Sequence, residues 1–198
     1  MRQSLLAAVA LAVLSTALRA ADYEIDPAHT SVGFKVKHIA GKVPGRFTKF
    51  SGAFTYDPKD PKSWKAEASI DPSSIDTDVE ARDKHLKSDT FFDVEKCPAL
   101  AFKSTAVADA SGERFKLRGD LTMHCVTKPV VLDVEFGGVG KDPGGNESAS
   151  FTATAKIDRK DWGIRWNKTL DSGGALVGEN IDLILEITGN AKKAPAKP

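Results

Sequence analysis

The stretch Ser74–Thr105, SIDTDVEARDKHLKSDTFFDVEKCPALAFKST, holds the one segment in which helical signals outweigh strand signals. Thr77 followed three residues later by Glu80 fits a capping box, in which each side chain satisfies an amide at the helix start. Asp76, Asp78 and Glu80 put negative charge where the helix dipole favours it, and Lys84 and Lys87 sit at the opposite end. Phe91 and Phe92 return the chain to a β-type run that opens at Pro98. The spacing therefore predicts one short charged helix, capped by Thr77, inserted into a chain that otherwise reads as strands.

Outside that stretch the apolar period is two, the mark of half-buried strands. Val32, Phe34, Val36 and His38 share one face, while Lys35 and Lys37 share the other. Phe50, Gly52, Phe54 and Tyr56 repeat the pattern before the turn signal DPKDPKS, and Trp64, Ala66, Ala68 and Ile70 repeat it afterwards. Past the helix, Leu100 and Phe102 face one way, and Phe115, Leu117, Gly119, Leu121 and Met123 make the next row. Val130, Leu132, Val134 and Phe136 precede the turn-rich KDPGGNES. Phe151, Ala153, Ala155 and Ile157 follow, then Ile181, Leu183, Leu185 and Ile187. About eight strands without strand–helix–strand spacing argue against a parallel sheet, leaving an antiparallel barrel or a sandwich. Pro129 interrupts a hydrogen-bond ladder and suits a bulge or an edge.

The 198 residues, 41% hydrophobic and 28% charged, are enough for one well-buried domain. Arg2, the apolar run Leu5–Leu14 and Ala20 read as a secretory signal peptide over residues 1–20. Without Arg2 and Arg19 the 28 basic residues fall to 26, against 27 acidic. No basic block or basic-aromatic patch marks a nucleic-acid partner. The terminal AKKAPAKP, residues 191–198, reads as a disordered tail.

The inward rows mix large apolar side chains with small ones, Gly52, Ala66, Ala68, Gly119, Ala153 and Ala155. A solid core wants mostly large side chains, and an eight-stranded barrel either fills itself or holds one ligand. On the residues alone both readings stand. Any catalytic or metal role for histidine falls to His29, His38 and His85, because His124 alternates with inward positions. No pair has metal-ligand spacing, and no nucleophile elbow occurs. Arg82, Asp83 and His85 form a polar cluster, read either as a structural pin, with Arg82 on a carboxylate, or as a lid at a cavity mouth. Leu86, Phe91 and Phe92 are the expected docking contacts of the helix. A hairpin turning at Ser111 and Gly112 puts Phe102 opposite Leu121 and Cys97 opposite Val126, one residue past Cys125. The two thiols are then neighbours with a parity mismatch, and a secreted chain favours a Cys97–Cys125 disulfide.

The blocks RDKHL (Arg82–Leu86) and FFDVEKCPALAFKST resemble the YceI family, as do IDPAHTSVGFKVKHI, GRFTKFSGAF, GDLTMHCVTKPVVLDV, DRKDWGI and VGENIDLILEITG. They run in order through nearly all of the chain after Asp22. Two positions depart from the family pattern: Cys97, where many members carry an aromatic, and Cys125, where many carry glycine. The resemblance implies an all-β, eight-stranded lipocalin-like barrel over residues 21–190, and a periplasmic, non-catalytic protein without a cofactor. It implies an isoprenoid-type ligand, a quinone or polyprenyl lipid, with a fatty acid or fatty amide second. Transient membrane contact and self-association stay open. The expected cavity lining is Val32, Phe34 and Val36; Phe50 and Phe54; Ala66 and Ala68. Across the barrel it continues through Phe102; Leu117, Leu121 and Met123; Leu132 and Val134; Phe151, Ala153 and Ala155; Leu183 and Leu185. The rival expectation is a periplasmic hydrolase or redox enzyme using His29, His38 and His85.

Overall fold

The computed structural model describes residues 21–171 and 173–192; the predicted signal segment and residues 193–198 of the tail lie outside them. The period-two runs become eleven segments. They are β1 (Ala21–Ile25), β2 (Ser31–His38), β3 (Gly41–Phe47), β4 (Phe50–Tyr56), β5 (Lys65–Ile70) and β6 (Ile75–Asp76). After the helix α1 (Glu80–Lys87) come β7 (Leu100–Ser111), β8 (Arg114–Met123), β9 (Val126–Lys141), β10 (Glu147–Asp158) and β11 (Val177–Ala191). Every ladder is antiparallel. Both β1 and β2 pair with β11, and they pair in turn with β4 and β3. The pairs β1–β2, β3–β4 and β5–β6 are thus three long strands, each broken once, and with β7 to β11 they make an eight-stranded barrel. It closes where the first long strand meets the last, β2 on β11 and Tyr23–Ile25 on Gly189–Ala191. Lys192 extends that seam by donating its backbone N–H to Asp22 O at 2.8 Å, so ordered backbone runs past the expected domain end.

Hydroxyl side chains bridge two of the breaks, where a buried backbone group left alone would cost as much as a lost hydrogen bond. Thr30 Oγ1 donates to Thr188 O at 3.1 Å and accepts from Thr188 N at 3.0 Å. Ser74 Oγ accepts from the backbone N–H groups of Thr48 at 3.2 Å and Lys49 at 3.0 Å. Pro129 lies on a locally open edge, because the β9–β10 ladder stops at Asp133 and Thr154. Residues Arg159–Trp162, a 3-10 turn, fill that gap, and Trp162 Nε1 donates to Leu121 O at 3.0 Å.

The β7–β8 hairpin has the expected Phe102–Leu121 pairing but reaches it by another route. The turn is Gly112–Glu113, and two bulges in β7, with Asp109 at φ 52°, restore the register. The thiol parity mismatch resolves in the β8–β9 turn. His124 and Cys125 occupy it with φ of 49° and 58°, as a two-residue turn with matching twist requires. Cys125 therefore stands in a left-handed conformation that glycine adopts freely. Cys97 precedes β7, and the disulfide joins it to Cys125 with Cα atoms 5.4 Å apart. His124 does not simply face outward: its Nδ1 lies 2.9 Å from Trp162 O.

The helix starts later than expected, at Glu80, and Val79 at the N-cap makes no side-chain bond. Thr77 is committed elsewhere. Its hydroxyl donates to Asp83 Oδ1 at 2.5 Å and accepts from Arg82 Nε at 2.7 Å, and Arg82 Nη2 donates to Thr77 O at 2.6 Å. The expected carboxylate partner of Arg82 is thus replaced by Thr77. Asp76 and Asp78 answer Arg46 rather than the helix dipole. The backbone N–H of Asp78, and then the Arg46 charge, hold the Asp76 carboxyl below its usual range.

Two outcomes follow from these contacts. The disulfide spans 28 residues, so its loss should cost about 3–4 kcal/mol through the added freedom of the unfolded chain. Reduction should lower the denaturation midpoint, and alkylation of protein from an oxidising compartment should label no thiol unless reductant is added. Thr77 is 5% exposed. Thr77→Ala should cost about 1–3 kcal/mol by leaving Arg82 Nε without its acceptor and Asp83 without the hydroxyl donor, and Thr77→Ser should recover most of it in urea melts.

Candidate functional site

Aromatic side chains gather at both ends of the barrel. At the end bearing the β7–β8 and β9–β10 turns, Tyr23 stacks on Phe54 at 5.0 Å and Tyr56 on Phe136 at 4.7 Å. Tyr23 is fully buried, and its hydroxyl donates to Glu147 Oε1 at 2.9 Å. Burial and that carboxylate push the phenol's pKa up, so it stays a donor. At the opposite end Phe91, Leu100, Met123, Ile157, Trp162 and Ile164 form a second buried cluster. His85 lies edge-on to Phe91 at 5.0 Å and to Trp166 at 4.8 Å. As expected, Leu86, Phe91 and Phe92 dock the helix on this cluster.

Between the two clusters lies an apolar cavity of about 280 Å³. Of the residues expected to line it, Val32, Phe34, Val36, Phe50, Phe54, Ala66, Ala68 and Phe102 border it. Leu117, Leu121, Met123, Leu132, Val134, Phe151, Ala153, Leu183 and Leu185 border it as well. Ala155 does not. Its single methyl packs against the cluster around Phe115, Leu117 and Leu132 and stops short of the space. The inward glycines also need a different account from the alanines. A Cβ on Gly119 would stand 2.5 Å from the Phe102 ring, and one on Gly52 would stand 2.4 Å from Glu67 O. Gly119 is where a ring lies flat on the sheet, and Gly52 is where backbone approaches backbone. Neither leaves open volume; Ala66, Ala68 and Ala153 do.

Several bordering residues were absent from the expected lining, among them Phe47, Trp64, Ile181 and Arg159. Arg159 had a legible signal: it continues by parity the inward row of Phe151, Ala153 and Ile157. It is 3% exposed. Its Nε donates to Gly178 O at 3.0 Å and its Nη1 to Ile164 O at 2.8 Å. Its Nη2 is buried without a hydrogen-bond partner among the described residues. Burial lowers the guanidinium pKa, opposed by the charges of Glu179 and Asp158.

The histidines stand apart. His29 Nδ1 lies 2.8 Å from Asp26 Oδ2 in the loop between β1 and β2, which holds the Asp26 carboxyl below its usual range. His38 ends β2, and His85 sits on α1. Among the described residues no three His, Cys, Asp or Glu side chains gather closely enough to hold a metal ion. Arg82 and Asp83 do not border the cavity; Leu86 is the α1 residue that does.

Known proteins match this arrangement along most of its length. A UPF0312 protein of Vibrio cholerae is 41% identical over 170 residues, covering 83% of this chain and 90% of the relative. The crystal structure of a Campylobacter jejuni YCEI protein is 34% identical with a TM-score of 0.67, covering 85% of this chain and 96% of that one. A barrel from Saccharophagus degradans, described as a polyisoprenoid binding domain implicated in plant cell wall breakdown, shares the fold. Its TM-score is 0.65 at 15% identity, covering 86% of this chain and 98% of that one. The profile of the YceI-like domain matches residues 23–189, and the chain belongs to the YceI-like family.

Proposed function

We propose that this protein is a periplasmic carrier that takes the apolar chain of an amphiphile into its lumen and catalyses nothing. The observation that carries the reading is the apolar cavity of about 280 Å³ between two aromatic clusters. Burying a methylene is worth roughly 0.8 kcal/mol relative to water, so such a chain does not stay free in an aqueous compartment. Against a bilayer the gain nearly vanishes, because both sites are apolar. Selectivity then comes from shape and from the head group. The oxidising compartment is supported by the signal-type segment over residues 1–20 and by the disulfide.

Size narrows the ligand. An apolar cavity of ~150 Å³ holds one benzene, so this lumen holds about a dozen carbons without rearrangement. An isoprenoid quinone or polyprenyl lipid, supported by the description of the Saccharophagus barrel, enters by its first units or by moving Phe34 and Phe102 aside. A fatty acid or fatty amide of medium length, favoured by the volume, is the second reading.

Organic extraction of the purified protein followed by mass spectrometry should release close to one amphiphile per chain. A bound metal with no lipid would instead support an enzyme built on the histidines. Ala153 borders the cavity and supplies a second test. Ala153→Phe should fill ligand space, leaving apo melting nearly unchanged while the extracted lipid is lost. A close-packed site would instead lose about 1–3 kcal/mol.

A further inference from the structure

We propose that Arg159 anchors the head group: Nη2 donates a hydrogen bond to an oxyanion, a carboxylate or phosphate oxygen, on the chain that fills the lumen. This rests on the carrier reading above. A guanidinium has five N–H donors and no acceptor, and its burial in an apolar wall is costly unless it is paired. Here the pairing is incomplete in a directed way. Two neutral carbonyls, Gly178 O and Ile164 O, hold Nε and Nη1. They fix the plane of the group and leave Nη2 buried and unpartnered among the described residues, in a side chain that borders the cavity.

Among the described residues the charge is also left without a contacting counter-ion. The two carboxylates that act on it, Asp158 and Glu179, are both engaged by Lys160. Asp158 accepts from the Lys160 backbone N–H at 2.9 Å, and Glu179 pairs with the Lys160 ammonium. A neutral carbonyl or alcohol would satisfy Nη2 but leave the charge unanswered. An oxyanion answers both, and a charge-assisted bond is roughly twice as strong as a neutral one. Arg159 lies at the α1 end of the lumen, so the chain runs from there toward Tyr23 and Tyr56.

The test uses delipidated full-length protein and four probes: dodecanoate, dodecanol, geranyl phosphate and geraniol. Calorimetric titration of the parent should show at least one oxyanion bound ten-fold or more above its alcohol, and the favoured pair tells carboxylate from phosphate. Arg159→Met should erase that preference while keeping the affinity for the alcohol, and Lys156→Met, at an exposed cation of β10, should leave it intact. Equal binding of acid and alcohol by the parent, or a preference that survives in Arg159→Met, overturns the anchor and spares the carrier. Binding of none of the four removes the carrier reading and the anchor with it. Should Arg159→Met fail to fold, arginine side-chain NMR of the parent decides. Dodecanoate, and not dodecanol, should shift the Arg159 guanidinium resonances; an unmoved guanidinium with dodecanoate bound overturns the proposal.

Discussion

Closure of the sheet is the constraint on which everything else depends. The seam joins the first long strand to the last, through seven residue pairs between β2 and β11 and three more between Tyr23–Ile25 and Gly189–Ala191. It removes the free edges that an open antiparallel sheet would expose. Once the ring is closed, each inward row faces every other inward row across one lumen. The three broken strands are tolerated because Thr30 and Ser74 supply the hydrogen bonds that two of the kinks remove. Without those kinks long straight strands would not wrap so small a circumference.

A closed barrel of this size must still decide what fills it. The ends are filled by rings, Tyr23, Tyr56 and Phe136 at one and Phe91, Trp162 and Trp166 at the other. In the middle, glycine lets rings lie against the sheet, as Phe102 does over Gly119 and Phe34 over Gly45. Those rings narrow the lumen from the wall inward, while Ala66, Ala68 and Ala153 keep its centre open. The cavity is thus the remainder after aromatic packing at both ends, and its modest volume follows from the number of rings that share the lumen.

Against that apolar background Arg159 is the exception. The 3-10 turn that carries it ends at Gly163, with φ 79°, which folds Ile164 O back onto the guanidinium. The turn also seats Trp162 in the gap between β9 and β10, so one short segment plugs the barrel and places its buried cation. Its side chain borders a space built for hydrocarbon. That combination is what an amphiphile requires of a site.

Much of the architecture was legible in the sequence, because alternation with period two is a local property: each residue's face follows from its neighbours. The inward rows and the strand count came from that pattern, and the one helix from the placement of its charges; of the inward positions expected to line a cavity, Ala155 does not border it. Hydrogen-bond choices between distant or competing partners were not legible. Thr77 matched a capping pattern but was taken by Arg82 and Asp83, and the β7–β8 register depended on two bulges that cancel a misplaced turn. The disulfide followed from approximate proximity, but the left-handed turn at His124 and Cys125 that brings it about did not. Whether the lumen is core or cavity was beyond the sequence for the same reason. A glycine reads identically whether a ring covers it or space does, and only the three-dimensional packing of Phe34, Phe54 and Phe102 separates the two. Arg159 shows the division most sharply. Its parity pointed inward, but that its third nitrogen would be left without a partner depended on where Gly178 and Ile164 arrive in space, which no local pattern encodes.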